Sequence, residues 1–139
     1  MNHSGSEMGH FWVSIQVGPR DRPLAAPMRA LVDTGSTFTW IPQDVLENLG
    51  VTPEKELPFE LADGREVSYP VAWVQISIEK RGDQPTIVVF APPGSDPILG
   101  VVTLEEFLLA ADPVHHRLVP VRALAKKSGF EKKVVEITS

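Results

Sequence analysis

The chain reads Ala30-Leu31-Val32-Asp33-Thr34-Gly35-Ser36-Thr37-Phe38-Thr39-Trp40-Ile41 at its most informative point, where one carboxylate lies between two apolar segments. The apolar residues before Asp33 predict a buried strand that runs into the carboxylate, and residues 38–41 resume as a short strand. Asp-Thr-Gly also occurs at turns, where each residue has a structural reason to be. Because this triplet lies between two segments predicted to be buried strands, we expect Asp33 to be held at the end of a strand, in a site from which water is excluded.

The rest of the chain is typical of a β-rich fold, because 13 prolines and 10 glycines divide its 139 residues into short segments. Apolar residues in these segments alternate as they do in strands with one buried face. Residues 11–17 show this alternation, with Val13, Ile15 and Val17 on one face. Further strands are predicted at 28–32, 38–41, 57–61, 67–69, 71–78, 86–90 and 117–121.

Two short helices interrupt the strands. Residues 42–50 begin with proline, carry an acid in the first turn and end with glycine, as short helices do. Thr103, with Glu106 three residues later, predicts a capping box and therefore a second helix over residues 103–111. The pair Asp112-Pro113 is expected to end that helix.

Two further features follow the carboxylate at some distance. Asp63-Gly64 lies between alternating segments and predicts a tight hairpin, whose two central residues would both need positive φ. Ile98-Leu99-Gly100 is a brief apolar run that comes where the second half of a folded lobe is expected.

The order and spacing of these features resemble those of the retropepsin-like aspartic peptidases, over about residues 11–122. The motifs that carry the resemblance are Asp33-Thr34-Gly35-Ser36 with Thr39, the hairpin at Asp63-Gly64, and Ile98-Leu99-Gly100. The resemblance implies a mostly-β acid protease fold: a closed β-barrel lobe with two short helices. It also implies an aspartic endopeptidase, which hydrolyses peptide bonds.

The resemblance assigns roles to the residues of these motifs. Asp33 would be the catalytic carboxylate, Thr34 would hydrogen-bond across a dimer axis, and Gly35 would direct its N–H toward the carboxylates. Ser36 would donate its hydroxyl to Asp33, and Thr39 would support the same loop. The flap over a bound peptide would comprise Ala62, Asp63, Gly64 and Arg65. Ile98 and Leu99 would pack beneath the loop, and Gly100 would leave room for the chain crossing there.

Catalysis of this kind requires two carboxylates that share one proton, because like charges about 3 Å apart cannot both ionise. The chain has one Asp-Thr-Gly triplet, since no aspartate other than Asp33 is followed by Thr-Gly. The second carboxylate would therefore come from another copy of the chain, which predicts a homodimer. The predicted partners are a second copy and a peptide or protein substrate.

A different class of function remains open, since a fold does not fix an activity. The same fold could serve as a catalytically idle module for peptide binding or dimerisation, or as a domain active only within a longer protein. The intact Asp-Thr-Gly favours the enzyme, because a scaffold gains nothing from two apposed buried acids.

Composition excludes several other classes. A net charge of −5 argues against binding to nucleic acid. The absence of cysteine excludes catalysis by a thiol. It is also compatible with a reducing cytoplasm, which we predict as the location of the protein. No segment resembles a membrane span or a signal peptide. No metal or other cofactor is predicted, and the adjacent His115 and His116 suggest a solvated turn. We expect a flexible segment at residues 1–10, a peptidase domain at 11–124, and a charged tail or terminal interface strand at 125–139.

Overall fold

The computed structural model describes residues 10–122, and this part of the chain contains nine strands and two short helices. In chain order these are β1 (Phe11–Gly18), β2 (Ala26–Val32), β3 (Thr39–Pro42), α1 (Gln43–Asn48), β4 (Lys55–Glu60), β5 (Glu66–Ile78), β6 (Asp83–Ala91), β7 (Ile98–Leu99), α2 (Val101–Glu106), β8 (Leu109–Asp112) and β9 (Arg117–Pro120). The predicted fold class, mostly β with two short helices, is confirmed.

The main sheet closes on itself. Its seven strands follow the order β1-β2-β7-β3-β6-β5-β4, and an additional pairing between β1 and β5 completes a ring. The strand β4 lies outside that ring and forms a hairpin with the first part of β5. The strands β8 and β9 form a separate antiparallel pair. The ring agrees with the closed lobe that the resemblance implies.

The alternation of apolar residues determines which face of the sheet lines the core. Along β1 every second residue is buried, which places Phe11, Val13, Ile15 and Val17 inside the ring. The largest fully buried side chains are Ile15, Ile41, Leu46, Ile76, Ile78 and Leu99. Burial of each such side chain stabilises the fold by about 1.5–3 kcal/mol, so this core is the main source of stability.

The two-residue strand β7 fixes the end of β2. It lies between β2 and β3, parallel to the first and antiparallel to the second. Two backbone hydrogen bonds flank this pairing: Leu31 N–H donates to the carbonyl of Pro97 at 2.9 Å, and Asp33 N–H donates to that of Leu99 at 3.1 Å. The residue that follows β2 is therefore held by the backbone of a segment more than sixty positions away.

The second helix differs from its prediction. It spans Val101–Glu106, and residues 109–112 form the strand β8 instead of a last helical turn. Val101 and Val102 donate their N–H groups to the carbonyls of Ser36 and Thr37, both at 2.9 Å. These tertiary bonds satisfy the first helical N–H groups, so no capping side chain is needed and the predicted capping box at Thr103 is wrong.

Neither helix within residues 10–122 is long and apolar enough to cross a membrane. His115 and His116 lie in the exposed turn between β8 and β9. The predicted tail or interface strand at 125–139, and all but the last residue of the predicted flexible segment at 1–10, lie outside the described residues.

Candidate active site

Asp33 is positioned by backbone contacts on both sides. Its N–H is bonded to β7, as described above, and its carbonyl accepts the N–H of Ser36 at 3.0 Å, which closes a tight turn. The carboxylate Oδ1 accepts the N–H of Gly35 at 2.9 Å. The side chain retains 32% exposure. The turn therefore aims a partly accessible carboxylate outward from the end of a buried strand.

The other residues of the motif surround this turn. Thr34 and Gly35 are exposed, so they lie on the outer surface of the loop. The hydroxyl of Ser36 donates to the carbonyl of Phe38 at 2.8 Å. The expectation that it donates to Asp33 is wrong, because the bend of residues 36–38 brings a backbone acceptor closer to the hydroxyl than the carboxylate.

A chain of buried hydroxyls lies beneath the loop. Thr39 Oγ1 accepts the N–H of Gly100 at 3.0 Å and lies 2.7 Å from Thr103 Oγ1, which in turn lies 2.8 Å from Thr86 Oγ1. All three threonines are fully buried. Thr39 was predicted as a loop support, but Thr86 and Thr103 were not. Isolated threonines in a strand and a helix give no signal that they will meet.

Gly100 lies where the chain crosses closest to the loop. A Cβ at this position would overlap the carbonyl of Phe38 and would lie 2.9 Å from the carbonyl oxygen of Ser36. Both neighbours are backbone atoms, which cannot move aside without moving the loop. Leu99, one residue earlier, is fully buried in the core, whereas Ile98 is half-buried.

The predicted hairpin is present as the β4–β5 pair, with Leu61–Arg65 as its connection. Gly64 N–H donates to the carbonyl of Leu61 at 2.9 Å, and Gly64 has φ +89°. Asp63 does not have positive φ, so the expected two-residue turn is wrong; the loop is a turn followed by a left-handed glycine. Arg65 donates its backbone N–H at 3.0 Å and its Nε at 2.7 Å to the Asp63 carboxylate, and these bonds, the backbone one first, lower the pKa of Asp63.

An aromatic cluster connects this hairpin to the segment that follows the Asp33 loop. Phe59 of β4 lies 5.3 Å from Trp40, 5.7 Å from Tyr69 and 6.0 Å from Phe38, between ring centroids. Trp40 also packs edge-on against Tyr69 at 4.9 Å. The hairpin is therefore coupled by packing, close to its connecting loop, to the segment that follows the Asp33 loop, a contact that the sequence did not predict.

A groove of about 460 Å³ lies beside Asp33. Its apolar lining residues are Trp40, Ala91, Pro92 and Ile98. Its polar lining residues are Asp33, Ser36, Ser95 and Asp96. Of these, the sequence predicted Asp33, Ser36 and Ile98 as site residues. The segment between β6 and β7 carried no chemical motif, and only its prolines and glycine, read as a turn, pointed to a loop there.

His10 is a further neighbour of Asp33 that the sequence did not single out. Its Nε2 lies 3.7 Å from Asp33 Oδ1, and its side chain is 40% exposed. The predicted flap residues Ala62, Asp63, Gly64 and Arg65 are exposed at the hairpin tip and do not line the groove. Within residues 10–122, no group of three or more His, Asp or Glu side chains is arranged to hold a metal ion.

Comparison with known proteins gives a family match and several structural neighbours. A sequence model of a family described as aspartyl protease matches residues 16–103. A search of the curated proteins found no match. At 14% and 18% identity, the three structural neighbours described next are similar to this chain in fold.

A retropepsin-like aspartic protease from Rickettsia conorii has a TM-score of 0.53 at 18% identity, and the match covers 75% of this chain and 77% of that one. EIAV protease in complex with the inhibitor HBY-793 has a TM-score of 0.50 at 18% identity, with 78% and 90% covered. The foamy viral protease-reverse transcriptase has a TM-score of 0.53 at 14% identity. That match covers 83% of this chain but spans only 13% of the foamy viral chain.

Proposed function

Since the chain belongs to the aspartyl protease family, we propose that it is an aspartic endopeptidase and that Asp33 is its catalytic carboxylate. The observation that carries this proposal is the placement of Asp33. Its backbone is anchored at the end of a buried strand, its Oδ1 accepts the N–H of Gly35, and its side chain lines an open groove. A peptide that entered the groove would meet this carboxylate directly.

The second carboxylate is proposed to be Asp33 of a second copy. The chain has one Asp-Thr-Gly triplet, and the reaction needs two carboxylates side by side. A two-fold axis between the two loops would supply the pair from identical surfaces, as in most dimers. The exposure of Thr34 and Gly35 supports this arrangement, because the outer surface of the loop is available to a partner.

The chemistry follows from one proton shared by two carboxylates. The ionised Asp33 takes a proton from a water molecule, whose oxygen attacks the peptide carbonyl carbon. The protonated Asp33 of the other copy gives its proton to the carbonyl oxygen, which forms a tetrahedral diol. The diol collapses as the C–N bond breaks. The amine nitrogen takes a proton from the carboxylate that received one, and a diol hydroxyl returns its proton to the other Asp33 as the carbonyl re-forms. The intermediate is not covalently attached to the protein.

The turn Ala62–Arg65 is proposed as a flap that closes over an extended peptide and excludes water. The aromatic contacts of Phe59 with Phe38 and Trp40 support this role, since they couple the hairpin to the Asp33 loop. The peptide would bind largely through its backbone, as an added strand does. The peptidase domain is proposed to span residues 11–124.

Cleavage of a peptide library at pH 3 to 7 tests the activity. The proposal expects cleavage by the wild-type chain, inhibition by a statine-type compound, and loss of cleavage in Asp33→Asn. Asp83→Asn is the matched control, because Asp83 is exposed at the far end of β6 and its substitution removes the same charge. Cleavage that persisted in Asp33→Asn would refute the assignment, and binding without cleavage would favour the idle module.

Mixing experiments test the shared site. If each active site needs one Asp33 from each copy, excess Asp33→Asn chain should suppress wild-type activity as mixed dimers form. With free exchange, activity should fall as the square of the wild-type fraction. A protein that sediments only as a monomer at high concentration with inhibitor, yet cleaves peptides, would contradict the dimer.

A further inference from the structure

The loop between β6 and β7 forms one wall of the groove and is held by a hydrogen bond near each end. The hydroxyl of Ser95 donates to the carbonyl of Pro92 at 2.6 Å, and Gly94 adopts φ +81°. At the other end, Pro97 accepts the N–H of Leu31 from the strand that leads to Asp33. A residue that precedes proline is restricted to extended conformations. Asp96 is therefore fixed between a closed turn and an anchored proline.

The carboxylate of Asp96 has no counter-charge in the described part of the chain. It is exposed, and within residues 10–122 it forms no ion pair or hydrogen bond. Of the residues that the structure describes, the charged ones that line the groove are Asp33 and Asp96, and no lysine, arginine or histidine is among them. The carboxylate of Asp96 therefore gives its side of the groove a negative charge, which attracts a cation and repels an acidic side chain.

The remaining lining of the groove suits an aliphatic stem. Trp40, Pro92 and Ile98 give it apolar surface. Lys and Arg bury their methylene groups against such surface while the charged end stays in contact with water. The face of a tryptophan also attracts a cation, more strongly than the other aromatic rings do. A side chain with an apolar stem and a cationic end meets both features of the groove.

We propose that this groove selects a lysine or arginine side chain next to the scissile bond, and that Asp96 is the residue that confers this selectivity. The inference rests on the proposed peptidase function, since it names the substrate class of the same site. Asp96 acts here as a specificity determinant: it touches the substrate side chain and takes no part in bond breaking.

The expected preference is moderate because Asp96 is exposed. Exposed ion pairs contribute up to about 1 kcal/mol, which corresponds to about fivefold in a rate or binding constant. Peptides that carry Lys beside the scissile bond should therefore be cleaved with kcat/KM about fivefold above that of their norleucine counterparts, and glutamate should be disfavoured. The preference should shrink as salt is raised from 0.05 to 1 M.

Two variants separate Asp96 from the general negative charge of the protein. Asp96→Asn keeps the size of the side chain and should reduce the ratio of Lys to norleucine to near one. Asp83→Asn removes one charge at the far end of β6 and should leave the ratio unchanged. Asp83→Asn should cleave norleucine peptides at the wild-type rate. The ratio of Lys to norleucine is compared within each protein, so a change in overall rate does not affect it.

A binding assay makes the inference independent of catalysis. The Asp33→Asn protein, with and without Asp96→Asn, is titrated calorimetrically with the Lys and norleucine peptides. Tighter binding of the Lys peptide that disappears with Asp96→Asn supports the inference, whether or not the wild-type protein cleaves. Equal binding of the two peptides, or a preference that survives Asp96→Asn, overturns it. Absence of Asp33-dependent cleavage overturns the proposed function alone, so the two failures are distinguishable.

Discussion

The buried threonine chain yields a quantitative prediction for Thr103→Val. Thr103 lies inside α2, is fully buried, and its hydroxyl lies 2.7 Å from that of Thr39 and 2.8 Å from that of Thr86. Valine has nearly the shape of threonine and a similar helix propensity. The substitution therefore removes two hydrogen bonds without opening a cavity or altering the helix backbone.

The magnitude follows from the number of bonds that each residue makes. A buried hydrogen bond contributes about 1 kcal/mol net, and a stranded partner adds to the cost of losing it. Thr103→Val breaks both bonds and should lower the free energy of unfolding by about 2–3 kcal/mol. Thr86→Val breaks one bond and should cost about 1 kcal/mol. The double variant should cost no more than Thr103→Val alone, because it leaves no stranded hydroxyl at residue 86.

Urea unfolding of the three variants and the wild type measures these differences. The protein concentration must be held constant, since association of copies would stabilise the folded state by mass action. The bonding scheme is refuted if Thr103→Val costs no more than Thr86→Val. It is equally refuted if the double variant costs the sum of the two single variants, because residues in one hydrogen-bond network should not be additive.

Three further predictions concern other parts of the fold. Gly100→Ala should lower the free energy of unfolding, measured with urea, by at least about 2 kcal/mol, because the added Cβ would overlap the backbone of residues 36 and 38. The control Gly82→Ala should cost about 1 kcal/mol, because its Cβ would have open space but its φ is positive. Phe59→Ala should speed hydrogen exchange in residues 55–70 but not in β2, since Phe59 packs against Tyr69 within the hairpin and against Phe38 and Trp40 beside it. The hydrogen bond from the His115 side chain lowers the pKa of Asp112. The ionised carboxylate therefore stabilises the β8–β9 turn at a pH above the ordinary pKa of aspartate, and this stabilisation is lost as the pH falls through the lowered pKa of Asp112. NMR of residues 109–120 between pH 2 and 6 should show this loss in the wild type but not in Asp112→Asn.

The fold and the catalytic loop were predictable where the signal is local. The alternation of apolar residues along residues 11–17 predicts which face of β1 is buried. The position of Asp33 between two apolar segments predicts that it lies at the end of a strand. The resemblance to retropepsin-like aspartic peptidases, carried by a few short motifs, is confirmed by the family match over residues 16–103.

The features that the sequence did not predict depend on contacts between distant segments. A capping box at Thr103 satisfies every local rule, yet the helix begins at Val101 because carbonyls of residues 36 and 37 bond its first N–H groups. Likewise, the hydroxyl of Ser36 donates its hydrogen bond to the carbonyl of Phe38 and not to Asp33. The approach of His10 to Asp33 depends on how the chain enters β1, which no motif specifies.

The contacts that place Asp33 differ in kind from those that form the groove. Its backbone N–H is bonded to Leu99 and its Oδ1 to the N–H of Gly35, and the loop after it rests on the N–H groups of Val101 and Val102. Apart from the bond to Oδ1 of Asp33 itself, these are hydrogen bonds between backbone groups, which a substitution of side chains on the surface leaves intact. The wall that carries Asp96, by contrast, offers exposed side chains on an anchored loop. Selectivity can therefore change at residues 92–96 while the catalytic geometry is retained, and this is the reason to expect that Asp96→Asn alters the ratio of Lys to norleucine cleavage while Asp33 keeps its position.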